Sequence, residues 1–238
     1  MPSIDDITIK LFMDGADIAA MRNAAGNKRI GGFTTNPTLM RKAGITDYEA
    51  FALEALKAIP DLPISFEVFS DDLAGMEREA RKIAGWGRNV YVKIPVTNTA
   101  GLSTAPLIKR LAAEGLALNV TAILSLRQVI EVAAALDPAT PSIVSVFAGR
   151  IADTGLDPVP LMAAAAEILR GNPKAELLWA SPREFLNVFH AQQSGCHIIT
   201  ATPDILNKLS LVGKNLEQYS LETVAMFYRD AVAAGFKI

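Results

Sequence analysis

Residues 90–95 read Val90-Tyr91-Val92-Lys93-Ile94-Pro95. Three β-branched residues in six, closed by a proline, make a short strand. The run is apolar on both parities except for Lys93, as expected of a parallel strand covered on both faces. Comparable runs recur along the chain at Ile7–Met13, Ile30–Thr34, Pro63–Val68, Leu116–Thr121, Ile143–Phe147, Ala175–Ala180 and His197–Thr200.

Helix-like stretches separate these runs. Ser125–Leu136 places Leu126, Val129, Ile130 and Ala133 on one predicted face. Asp72–Trp86 carries Glu77 and Arg81 as an i, i+4 pair. Asp157-Pro158 reads as a helix start, and Asp17 as the N-cap of the first helix. About eight strand–helix units predict an α/β fold, a (β/α)₈ TIM barrel, for which ~250 residues is typical. The rival is a doubly wound open sheet, which usually shows a glycine-rich phosphate loop after its first strand. Here that turn is Asp14-Gly15-Ala16-Asp17, which is not one. Ser220–Phe236 is left over as an additional C-terminal amphipathic helix. With no linker or break in composition, residues 1–238 are expected to form a single domain.

Composition narrows the function. Half of the 238 residues are hydrophobic and 20% are charged, which suits a sizeable core. Lys and Arg total 23 against 25 Asp and Glu, so the net charge of −2 gives no electrostatic case for nucleic acid or an anionic membrane. No apolar run approaches the ~20 residues needed to span a bilayer. The start, MPSIDDITIK, has acidic residues where a signal peptide would be basic. Cys196 is the single cysteine, which excludes an internal disulfide and points to a reducing compartment. His190 and His197 leave little for a metal site. A cytoplasmic protein without metal is the expectation.

Barrel active sites lie at the C-terminal ends of the strands. Polar residues at those ends are Asp14, Thr34-Thr35-Asn36, Glu67, Lys93, Asn119 with Thr121, Ser145 followed by Arg150, and Ser181 with Arg183. Lys93 stands out. Burial disfavours the charged form of an amine, and a neutral amine attacks carbonyls to form a Schiff base. The alternative is a lysine that snorkels outward or pairs with a carboxylate. Asp14 is placed to act as a general acid/base or to cap a helix. Glu67, in an apolar run, either pairs with Lys93 or orients a water. Arg150 and Arg183 suit a phosphate, or else form salt bridges to Asp153 or Glu184.

Phe33-Thr34-Thr35-Asn36-Pro37-Thr38-Leu39 and Val92-Lys93-Ile94-Pro95-Val96-Thr97 resemble the signature and the lysine segment of the transaldolase family. Leu118-Asn119-Val120-Thr121, the run Ser145 to Asp153, and Ala180-Ser181-Pro182-Arg183 match in the same order. The resemblance implies a barrel aldolase with no metal or organic cofactor, acting on phosphorylated sugars. It implies that Lys93 forms the Schiff base, that Asp14 moves the proton of the bond-cleaving hydroxyl, and that Glu67 and Thr121 hold a water. Asn36 and Asn119 would hold the dihydroxyacetone fragment, and Thr35 of the same signature would be a further substrate-binding residue. Ser145 and Phe147 would lie against the sugar, with Arg150, Ser181 and Arg183 on the phosphate. Glu67 and Phe147 favour the transaldolase branch over fructose-6-phosphate aldolases, which are expected to carry glutamine and tyrosine there. Pro182 departs from the usual aromatic residue and puts the placement of Arg183 in question. The resemblance also implies a homo-oligomer, a pentamer-based ring with an exchanged C-terminal helix; the alternative is that this helix packs on its own barrel.

Overall fold

A computed structural model describes residues 2–237. Eight parallel strands close in sequence order into a barrel. They are β1 (Lys10–Asp14), β2 (Ile30–Thr34), β3 (Ile64–Glu67), β4 (Val90–Pro95), β5 (Leu118–Ile123), β6 (Ser142–Val146), β7 (Ala175–Trp179) and β8 (Ile198–Ala201). Between them run α1 (Ile18–Ala25), α2 (Pro37–Lys42), α3 (Tyr48–Ala58), α4 (Leu73–Ala84), α5 (Ala105–Ala113), α6 (Leu126–Ala135), α7 (Ala148–Ala152), α8 (Pro158–Leu169) and α9 (Leu186–Gln193). Two further helices, α10 (Pro203–Leu206) and α11 (Leu216–Ala233), follow the last strand. The fold is the expected TIM barrel with an added C-terminal helix.

The start signals read from sequence hold. Asp17 accepts from Ala20 N–H, and Asp157 precedes Pro158 at the first turn of α8. Ser125, at the edge of its predicted run, adds a capping box with Gln128. Several strand ends shift by a single residue, and four boundaries or faces differ in ways that have a cause or a consequence. The first strand begins at Lys10 rather than Ile7, because Thr8 and Ile9 donate their backbone N–H groups to Gln192 Oε1 instead of to a strand. The fifth begins at Leu118 rather than Leu116 and continues to Ile123. In α6 the buried residues are Val129, Val132 and Ala135, and Ile130 is exposed. The last helix starts at Leu216, where Asn215 caps it, rather than at 220.

Two cores result. The larger lies between strands and helices and takes the outward side chains, such as Val92, Ile94, Val120 and Val144. The smaller fills the barrel with Phe12, Ile143, Leu178 and Ile198. Gly32 makes room for it: a Cβ there would come within 2.5 Å of the Phe12 ring. Strand alternation then decides the site. Tyr91 packs with the inner core, so Lys93, two residues on, points into the barrel above it. The same parity turns Asp14, Thr34, Glu67, Asn119, Ser145 and Thr200 to the cavity.

Candidate active site

The strand ends enclose a cavity of about 440 Å³. Wider grooves lie outside the barrel, and one of about 570 Å³ between α1 and α10 offers Arg29 as its one charged side chain. The cavity over the barrel instead gathers both carboxylates, the lysine and an arginine.

Lys93 is buried, with 8% of its side chain exposed. Its Nζ donates to the Thr35 carbonyl at 2.8 Å and lies 3.2 Å from Glu67 Oε2. A buried ammonium without such partners would be costly. Of the two options for Glu67, the ion pair is the one formed.

Asp14 accepts from Thr34 Oγ1 at 2.7 Å and from Asn36 Nδ2 at 3.3 Å. Thr200 Oγ1 extends the chain, 2.6 Å from Thr34 Oγ1. Burial pushes the Asp14 carboxyl above the ordinary carboxylate range, and Lys93 and the two hydrogen bonds hold it back only in part. Asn36 has two roles, since its Oδ1 also caps α2 at the Leu39 N–H, 3.0 Å away.

Asn119 is fixed from both sides. Its Nδ2 donates to Ser65 Oγ at 3.0 Å, and its Oδ1 accepts from Ser145 Oγ at 2.7 Å. Thr121 Oγ1 is buried in the cavity wall with no hydrogen-bond partner. A polar atom in that state calls for a water or a substrate group. The next residue, Ala122, has φ +60°, and the β5–β6 register shifts between Val120 and Ile123. An alanine in the left-handed region costs roughly 1–2 kcal/mol, so the bulge is held by its surroundings.

At the far end Arg150 lies over the Phe147 ring, 5.0 Å from its centroid. Among the described residues no carboxylate pairs with it. Ser181 has φ +58°. Its carbonyl packs so tightly on α7 that a Cβ on Gly149 would fall 1.5 Å from the oxygen. Glycine is therefore required at 149.

Two expected side chains are placed differently. Arg183 does not line the cavity. It is exposed and held by Asp153, with Nε donating to Oδ1 at 2.9 Å and a second contact from Nη2 to Oδ2. Arg183 lowers the Asp153 carboxyl in return. The salt-bridge alternative thus describes Arg183, and the turn carrying Pro182 leaves it outside. Thr35 is buried with its hydroxyl donating to Ser65 O at 2.9 Å, so it offers the site its carbonyl rather than its side chain. Lys93, Asp14, Glu67, Thr121, Asn36, Asn119, Ser145, Phe147, Arg150 and Ser181 all border the one cavity.

Ser65 and Thr200 escaped the sequence reading. Ser65 shares the inward parity of Glu67, and Thr200 is the last residue of the eighth run, at the strand end where barrel sites lie.

Residues 11–238 match the family described as transaldolase/fructose-6-phosphate aldolase. The chain belongs to this family. It is accordingly an enzyme of the aldolase/transaldolase type. A relative from Thermoanaerobacter sp. (strain X514), named "Probable transaldolase", is 34% identical over 231 residues, covering 97% of this chain and 100% of its own. Another of that name, from Caldicellulosiruptor saccharolyticus, is 36% identical over 204 residues, covering 85% and 89%. Among solved structures, KGPDC from Streptococcus mutans superposes with a TM-score of 0.56 over 83% of this chain and 89% of its own, at 10% identity. At that identity the likeness concerns the barrel alone. No helix among the described residues is long and apolar enough to cross a membrane.

Proposed function

We propose that this family member is a transaldolase working through a Schiff base on Lys93. The observation that carries the reading is the Lys93 amine, buried at the cavity floor within 3.2 Å of Glu67, with Asp14 bordering the same cavity.

Lys93 attacks the C2 carbonyl of a ketose phosphate after Glu67 takes its proton. Glu67 returns that proton to the carbinolamine hydroxyl, which leaves as water and gives the iminium. Thr121 Oγ1, which lacks a protein partner, suits that water. Asp14 then removes the proton of the C4 hydroxyl. The C3–C4 bond breaks, an aldose phosphate leaves, and the bond's electron pair remains as an enamine conjugated to the lysine nitrogen. The enamine attacks the aldehyde of an acceptor, Asp14 returns the proton to the new hydroxyl, and water releases the product. Asn36 and Asn119 hold the hydroxyls of the three-carbon unit. Arg150 and the Ser181 turn receive the phosphate. No step uses a metal or an organic cofactor.

Phe147 favours transfer over release of free dihydroxyacetone, since a phenyl ring has no hydroxyl with which to protonate the enamine. Fructose 6-phosphate or sedoheptulose 7-phosphate would be the donor and erythrose 4-phosphate or glyceraldehyde 3-phosphate the acceptor. On this reading the enzyme works in the pentose phosphate pathway, in the cytoplasm. Borohydride reduction with fructose 6-phosphate should leave a three-carbon adduct on Lys93, read by peptide mass spectrometry. No adduct, or one on another lysine, overturns the proposal. Steady turnover without an acceptor aldehyde would assign the aldolase branch instead.

The assembly is proposed to be a homo-oligomer, a pentamer-based ring. None of the residues of α11 is buried, and Leu221, Val224, Phe227 and Tyr228 are exposed. A second copy of the chain would cover them. Light scattering that gives a monomer mass overturns this.

A further inference from the structure

Parallel strands exchange hydrogen bonds in a fixed alternation. Between β2 and β3 the sequence runs from Phe33 N–H to Pro63 O at 2.8 Å to Thr35 N–H to Ser65 O at 3.3 Å. The next bond of the series would join Glu67 N–H to Thr35 O. It is not made. Thr35 O accepts from Lys93 Nζ at 2.8 Å. Glu67 N–H donates to Tyr48 Oη at 2.7 Å, and that hydroxyl donates onward to Glu67 O at 3.0 Å.

We propose that Tyr48 is a positioning residue of the reaction: its hydroxyl replaces the missing backbone bond, which holds Glu67 against Lys93 and leaves the Thr35 carbonyl to the amine. The proposal rests on the Schiff-base reading of Lys93.

The surroundings of Tyr48 fit the role. It opens α3, whose N-cap Asp47 fixes the backbone there. Its ring packs against Phe66, Phe69 and Trp86, with centroids 6.3, 4.6 and 5.5 Å away. Such packing aims the hydroxyl with little freedom. Burial pushes the phenol up from its ordinary value, so it keeps its proton and goes on donating. Tyr48 does not border the substrate cavity, so it acts through Glu67 and Thr35. Without the hydroxyl, Glu67 N–H is either orphaned or free to close on Thr35 O in competition with Lys93. Both results disturb the amine and leave substrate contacts in place.

The test is Tyr48→Phe, with Phe69→Leu as a packing control. In Tyr48→Phe, kcat should fall at least about tenfold, the size of effect expected for a misplaced proton-transfer group. The donor KM should stay within about twofold, and borohydride trapping should slow in parallel. Phe69→Leu should leave kcat near wild type. A Tyr48→Phe kcat within about twofold of wild type overturns the proposal, and so does an equal fall in Phe69→Leu. Should Tyr48→Phe not fold, 3,5-difluorotyrosine at position 48 keeps the ring and hydroxyl but ionises more readily. The kcat profile should then gain an alkaline limb, because a phenolate cannot donate to Glu67 O; an unchanged profile overturns the proposal. Failure to trap an adduct on wild-type Lys93 would instead overturn the proposed function.

Discussion

Thr34 donates its hydroxyl hydrogen to Asp14 at 2.7 Å while lying 2.6 Å from the hydroxyl of Thr200. That bond favours the charged carboxylate, whereas burial favours the neutral acid and wins. Asp14 accepts a proton only when ionised, so activity should rise with pH through a limb above the ordinary carboxylate range. Thr34→Val removes one bond to the charged form and should move that limb to higher pH. The pH profile of kcat/KM measures it, and a limb that stays in place would count against Asp14 as the base.

The same burial has a consequence for stability. A folded-state pKa raised above its unfolded value contributes stability that is present in acid and lost as pH rises through the folded value. Once pH exceeds the folded value, the ionised Asp14 therefore costs stability. Asp14→Asn should abolish turnover and raise Tm by a few degrees at pH 7, with no gain at pH 3. Scanning calorimetry at the two pH values decides it.

Thr121 carries a buried hydroxyl without a protein partner. Thr121→Val removes a polar atom whose unmet hydrogen bonding costs about 1–3 kcal/mol when no water serves it. Stability should stay level or rise, while kcat should drop about tenfold through loss of the shuttling water. Unaltered turnover would show that the hydroxyl is a packing group.

The two arginines should separate cleanly. Arg150 borders the cavity and Arg183 is tied to Asp153 at half-exposed surface. Arg150→Ala should raise the KM for phosphorylated donors by about 10- to 100-fold, the scale of a lost charged hydrogen bond. Arg183→Ala should raise it less than about threefold and cost under about 1 kcal/mol, as exposed pairs do. Comparable KM effects in both would place Arg183 on the phosphate after all.

Gly149→Ala tests the Ser181 turn. A methyl group 1.5 Å from Ser181 O cannot be accommodated without moving α7 or the turn. The variant should lose more than about 3 kcal/mol, at the diagnostic end of single substitutions. A native Tm would show that the turn yields freely.

Much of this was legible in the chain. Lys93, Glu67 and Asn119 were legible because each is a polar residue inside or at the C-terminal end of an otherwise apolar run, where barrel sites lie. Asp17 and Asp157 announced their helices by side-chain chemistry. What could not be read was long-range. Arg183 lies 30 residues from its partner Asp153, and only the folded turn shows which of two acids it meets. Ile130 fitted the apolar period of α6 but faces outward, since the neighbouring helices decide which stripe is covered. Tyr48 gave no motif, because its partner is a backbone.

Thr35 shows what that means for mapping such a site. Its contact with Lys93 runs through a carbonyl oxygen that every amino acid possesses. A scan that trims side chains one at a time would score position 35 by its hydroxyl and never touch the atom that holds the amine. The position can change its letter and keep its part in the chemistry, so long as the chain still bends there.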